Sequence, residues 1–173
     1  MILKQSVNSD ERREAAFSEC ETYRYRLDIT WSPGLPTLTT ICLNPSTATH
    51  LEDDPTIRRC KAFAKQLGCG TYRMLNLFAL RSTDYKALFR SPDPVGSENT
   101  PDFLRHWVDG SIAVAAWGSH VKERKWRHFY RGDELLEQIP GLQAWKLTKS
   151  GAPQHPLYLP GSAALFPLTP APR

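Results

Sequence analysis

The chain has no apolar run approaching the roughly 18 consecutive residues of a membrane-spanning helix, so no membrane partner is expected. Its opening, MILKQSVNSDERRE, turns polar at once, which argues against a secretory signal peptide. Its four cysteines (Cys20, Cys42, Cys60, Cys69) form no C-x-x-C pair. Nothing suggests the small secreted context of a disulfide framework, so they read as free thiols of a cytoplasmic protein. There is no internal repeat and no low-complexity segment. The P-loop, the Gly-rich dinucleotide fingerprint, H-E-x-x-H and G-x-S-x-G are all missing, which weighs against phosphate-transfer and nucleophile-elbow chemistry. No cofactor is implied. Excess charge is also scarce. The 22 Lys and Arg stand against 18 Asp and Glu, a net +4. That permits an anionic partner but falls well short of a DNA-coating protein.

What is present suffices for a core. Hydrophobic residues make up 40% and charged residues 23% of 173, which excludes wholesale disorder and fits one domain over 1–173. Fourteen prolines and ten glycines point to short, sharply ended elements.

Residues 1–21 read as a short helix or a loose arm. Over Thr22 to Trp31, Tyr23, Tyr25, Leu27, Ile29 and Trp31 alternate with polar residues, predicting a strand with one wet face. The Ser32-Pro33-Gly34 turn and the β-branched Thr37–Leu43 stretch complete an expected hairpin. Asp54-Pro55 signals a helix N-cap and first turn. Ile57, Cys60, Phe63, Ala64 and Leu67 then share one face, and Gly68 is the stop. A buried strand is expected at Tyr72–Leu80, a short helix from Thr83 to Phe89 and another from Thr100-Pro101 to about Asp109. The apolar run Ile112–Trp117 predicts a central strand. A basic helix is expected over roughly Ser119–Tyr130, a last strand at Leu142–Leu147, and a loop-like tail at 160–173. The alternation predicts a three-layer α/β/α sandwich around a central, mostly parallel four-stranded sheet, with the β-hairpin as an N-terminal extension.

In such sheets ligands sit at the carboxyl ends of the strands. That rule selects Asn44-Pro45-Ser46-Thr47, Asn76, Trp117-Gly118 with Ser119 and His120, and His155-Pro156 with Leu157. Asn44 can donate and accept hydrogen bonds and so hold a water or a substrate edge, while Ser46 and Thr47 suit a phosphate. The same residues equally make a capped turn. Asn76, among Met74, Leu75, Leu77 and Phe78, is either satisfied by backbone or points into a pocket, where its paired donor and acceptor match a nucleobase edge. His155 is fixed between Pro153 and Pro156. It is either a solvent histidine or a donor to a developing anion. Ser119, His120, Lys122, Arg124, Lys125 and Arg127, with Trp126, Phe129 and Tyr130 interleaved, form either a solvated helix face or a nucleic-acid contact. With Arg131, five cations here face Glu123 alone, so the surplus of the whole chain sits in one segment. Asp53-Asp54 reads more cheaply as a helix cap than as a metal pair, and no metal site is expected.

The strings CLNPSTATHLEDDPTIRRC, LNLFALRSTD, DPVGSEN, AAWG and GAPQHPLYL resemble the DUF1643 family of bacterial and phage proteins, which carries no assigned activity. The strand-end motifs also resemble, in order and position, those of the uracil-DNA glycosylase superfamily. Asn44-Pro45 matches its water-holding motif, Met74-Leu75-Asn76 its base-reading strand, Trp117-Gly118 a third strand end, and His155-Pro156 its last loop, with Leu157 as wedge. The chain departs from that pattern at Cys42, where a Gly is usual, and at Leu157-Tyr158-Leu159, and it lacks the aromatic that screens out thymine. That resemblance implies an N-glycosidase acting on a nucleobase in DNA or a nucleotide. Asn44 and His155 would be catalytic, and Pro45, Ser46, Thr47, Asn76, Trp117, Gly118, Pro156 and Leu157 would bind substrate. Two alternatives stay open: a non-catalytic nucleic-acid or nucleotide-binding module, and a small-molecule enzyme using the same strand-end pocket.

Overall fold

A computed structural model describes residues 1–46, 51–120, 128 and 130–169. Two strands open the chain, β1 (Ile2–Val7) and β2 (Arg12–Phe17). The expected helix or loose arm is therefore wrong. In β1, Ile2, Lys4 and Ser6 are half-buried while Leu3, Gln5 and Val7 are exposed, a period of two that no helix produces. Asn8 closes the turn, its Oδ1 accepting from the Asp10 and Glu11 N–H groups at 2.9 and 2.8 Å.

The remaining elements are β3 (Arg24–Thr30), β4 (Thr37–Cys42), α1 (Pro55–Gln66), β5 (Thr71–Asn76), α2 (Lys86–Arg90), α3 (Pro101–Val108), β6 (Ile112–Ala115), α4 (Arg131–Gln138), β7 (Gln143–Ala144), a 3-10 turn (Pro156–Tyr158) and β8 (Phe166–Pro167). Among the described residues they form one eight-stranded sheet, ordered β1-β2-β3-β5-β4-β6-β7-β8. The β1-β2, β2-β3, β3-β5 and β7-β8 pairings are antiparallel, and β5-β4, β4-β6 and β6-β7 are parallel. This mixed sheet, with few and short helices, corrects the expected sandwich on a four-stranded, mostly parallel sheet.

The β3–β4 hairpin is corrected too, because β5 lies between those strands. The polar groups of the turn go to Gly70 instead. Trp31 and Ser32 donate to its carbonyl, and its own N–H donates to Pro36. A Cβ at Gly70 would sit 1.9 Å from the Ser32 oxygen, so only glycine fits. Nor is the polar side of β3 wet. Arg26 lies 3.7 Å over the Trp107 ring of α3 and pairs with Glu14 and Asp28, while Asp28 also binds Arg73. Paired charges tolerate burial that lone ones do not.

The strand residues alternate between two cores. Leu38, Cys42, Tyr72, Met74 and Val114 pack with Ile57, Cys60, Phe63 and Ala64 of α1. Ile41, Leu75, Ala113 and Ala115 pack with Leu88, Leu104, Val108 and Leu135 from α2, α3 and α4. Asp54 caps α1 as its sequence indicates, accepting from the Ile57 N–H at 2.8 Å, and Pro55 fills the first turn. Thr100 caps α3 in the same way. Leu67 departs from its expected inward face and caps the helix, largely exposed. Among the described residues no helix is long and apolar enough to cross a membrane.

Candidate functional site

The crossovers from β4 determine where a cleft opens. α1 carries the chain from β4 to β5 across one face, and α2 and α3 carry it from β5 to β6, on the other side of β4, across the opposite face. Where successive crossovers diverge in this way, the carboxyl ends of the two strands leave a crevice. A recess of about 380 Å³ lies there, within the usual range for a small-ligand site.

Four loops wall it. After β4 come Leu43, Asn44 and Ser46; after β5, Ser82, Thr83 and Tyr85; after β6, Trp117, Gly118, Ser119 and His120. Thr148, Gln154, His155 and Tyr158 close the fourth side. The Gly118 backbone is left-handed (φ 75°), and its N–H donates to the Pro153 carbonyl at 2.8 Å, which draws the β6 loop against the His155 loop. Tyr85 and His120 stack with ring centroids 3.8 Å apart and planes 20° from parallel, giving the recess a flat wall.

His155 caps the 3-10 turn with its own ring. Nδ1 accepts from the Leu157 N–H at 3.3 Å. An acceptor at Nδ1 leaves Nε2 to carry the proton of the neutral imidazole. Burial lowers the His155 pKa. Asp54 nearby opposes that shift, and His120 adds to it. The ring is therefore a neutral hydrogen-bond donor at neutral pH.

Asn44 lines the recess, but its amide nitrogen donates to the carbonyls of Ser82 (2.8 Å), Pro45 (3.1 Å) and Leu80 (3.4 Å). Three surrounding acceptors settle which end is the NH2. What remains to offer a ligand is Oδ1. Pro45 is buried behind Asn44 and accepts from the Ser82 N–H. Asn76 does not line the recess. It is 1% exposed, and neither amide atom has a hydrogen-bond partner among the described residues. Pro156 is buried in the 3-10 turn, and Leu157 is exposed outside the recess. Ser119 and His120, expected on a nucleic-acid face, line the recess. Thr47, Lys122, Arg124, Lys125 and Arg127 lie outside the described residues. Arg131 is no surface cation. Its Nε donates to the Leu77 carbonyl and its Nη2 to the Asn99 carbonyl, both at 2.6 Å.

Sequence reasoning missed Ser82, Thr83 and Tyr85. The strand-end rule, applied past the expected strand end at Leu80, points to them in RSTDY, but Asn76 inside that strand drew the reading. It also missed Thr148, Gln154 and Tyr158, which no motif marks. Asp53 pairs with Arg13 and Lys61. Among the described residues no group of three or more His, Cys, Asp or Glu could hold a metal ion.

One family model, described as a protein of unknown function (DUF1643), matches residues 24–157. No curated protein and no solved structure matches the chain.

Proposed function

The chain belongs to the DUF1643 family, a family without an assigned activity, and from that premise we propose that the strand-end recess binds a nucleoside or nucleotide through the neutral His155 donor. One observation carries the reading. His155, Asn44, Ser46 and the Tyr85–His120 stack converge on a single recess at the point where the β4 crossovers diverge. Flat rings suit a base, and hydroxyls with an imidazole N–H suit its polar edge and the sugar. An Nε2 proton facing a bound base can also be given to a leaving nitrogen, so a hydrolytic step is compatible with the site. The N-glycosidase form of the reading requires Asn44, Asn76 and His155 around one ligand. Asn76 stands apart, so base reading by Asn76 is dropped and the binding reading is kept.

The test is a thermal-shift panel of nucleobases, nucleosides, nucleotides and short oligonucleotides, followed by calorimetry on the members that shift. At least one member should raise the melting temperature, and His155→Gln should remove that rise while the protein stays folded. A flat panel, or full binding by His155→Gln, refutes the proposal. Free-base release by high-performance chromatography on the same panel separates turnover from binding alone.

A further inference from the structure

A second recess adjoins the first. Glu21, Thr22 and Arg81 wall it, and it shares Ser46, Ser82 and Thr83 with the recess of His155. The two are lobes of one groove, joined by three hydroxyl-bearing residues. The first lobe offers uncharged donors and rings. The second offers a guanidinium.

Arg81 is held but not neutralised. Its Nη1 donates to the Glu21 carbonyl at 2.9 Å, and its guanidinium lies 5.2 Å from the Phe17 ring. Among the described residues it makes no ion pair, and its buried Nε has no partner. The carboxylate that lines the lobe, that of Glu21, is engaged by Lys4 at 2.6 Å. Arg24 behind it is fully buried; burial lowers its pKa, the nearby Asp54 opposes that shift, and Arg81 adds to it. The hydroxyls of Ser46 and Thr83 have no hydrogen-bond partner among the described residues. They are free to donate to an anion.

We infer that the Arg81 lobe is the phosphate subsite of the strand-end groove, so the ligand is a nucleoside monophosphate with its base in the His155 lobe and its phosphate beside Arg81, Ser46 and Thr83. This rests on the nucleoside reading above and narrows it from nucleosides in general to phosphorylated ones. A permanently charged, planar donor is the side chain suited to a phosphate, whereas the first lobe has only imidazoles, one of them held neutral.

Calorimetry at fixed ionic strength tests it on the intact chain with three probes: a nucleoside, its 5′-monophosphate and inorganic phosphate. The monophosphate should bind about tenfold or more tighter than the nucleoside, as charge-assisted bonds to one guanidinium warrant. Arg81→Gln should erase that difference and leave nucleoside affinity within about twofold, since the first lobe is untouched. Arg81→Lys keeps the charge but not the fork and should retain part of the difference, and it serves as the working variant if Arg81→Gln does not fold. Equal affinity for nucleoside and monophosphate in the wild type, or a full phosphate increment in Arg81→Gln, overturns the inference while leaving the nucleoside reading intact. If no nucleoside binds, that reading fails, and inorganic phosphate decides the subsite. Binding lost in Arg81→Gln supports it, and no phosphate binding by the wild type overturns it.

Discussion

Asn44 separates two accounts of the strand-end site, and Asn44→Asp tells them apart. The uracil-DNA glycosylase resemblance implies a water holder at Asn44, a role for which a side-chain oxygen is enough, so an aspartate would serve it. The structure makes it a clamp. Its amide nitrogen donates to the carbonyls of Ser82, Pro45 and Leu80, tying the loop after β4 to the loop after β5. Only the 2.8 Å bond to Ser82 is short; the 3.4 Å contact with Leu80 is marginal. A net hydrogen bond is worth about 0.5–1.5 kcal/mol, so Asn44→Ala should cost about 1–2 kcal/mol for the set. In a chain of this size each kcal/mol moves the melting temperature by about 2–4 °C, so the fall should be about 2–8 °C. Asn44→Asp loses the same donors and also points a carboxylate at three carbonyl oxygens. It should be less stable than Asn44→Ala by about a further 1–3 kcal/mol, the scale of leaving such groups unmatched. Differential scanning calorimetry and urea titration of both variants measure the order. An Asn44→Asp protein as stable as the wild type refutes the clamp.

Three further outcomes follow from the same geometry. Gly132→Ala places a Cβ 2.9 Å from Trp117 Nε1, so the ring must shift at a cost of about 1–3 kcal/mol; unchanged tryptophan emission and unchanged stability would contradict this. Asn76→Leu replaces two buried amide atoms, unpartnered among the described residues, with apolar ones and should leave the protein as stable or raise stability by about 1–3 kcal/mol, whereas a clear loss in chemical denaturation would show that the amide has a partner. Because burial lowers the His155 pKa, the unfolded chain takes up a proton near pH 6.5 that the folded chain refuses; stability should therefore fall as the pH drops from about 7 through 6.5 and level off below the folded pKa. His155→Gln should flatten that step in unfolding titrations, and an unaltered step would assign it elsewhere.

The helix caps were legible because they are local. Asp54-Pro55 and Thr100-Pro101 each satisfy their own first-turn N–H groups, and no distant residue is needed to make them. The sheet was less so. Pairing is non-local, and nothing in TYRYRLDITW says that its neighbour is Thr71–Asn76 and not the strand just beyond the turn. The wet face of β3 failed for a related reason. Arg26 and Asp28 look solvated in sequence, but Trp107, Glu14 and Arg73, contributed from as far as 81 positions away, bury the first and half-bury the second. Residues 1–21 misled because their charges drowned a two-residue period in β1.

The sequence pointed to the strand ends, where the recess opens, but several residues near it are occupied by backbone, for a physical reason. Parallel strands that stop side by side leave carbonyls at their carboxyl ends with no ladder partner, and a buried carbonyl must find a donor. Here the donors include Asn44 and Arg131, which stand out in sequence, and Asn99, which does not. Asn99 donates to the carbonyls of Asn76 and Leu77, Arg131 to those of Leu77 and Asn99, and Asn44 to those of Ser82, Pro45 and Leu80. Each is fixed by this duty. Chemistry toward a ligand then falls to groups that spend little on the backbone: the Nε2 face of His155, the Tyr85 ring, and the Arg81 guanidinium, of which, among the described residues, Nη1 alone donates to a carbonyl. An asparagine at the end of a parallel strand is thus a weaker sign of a binding site than a histidine or arginine in the loop beyond it. By that criterion His155 and Arg81 are the first residues of this chain to mutate.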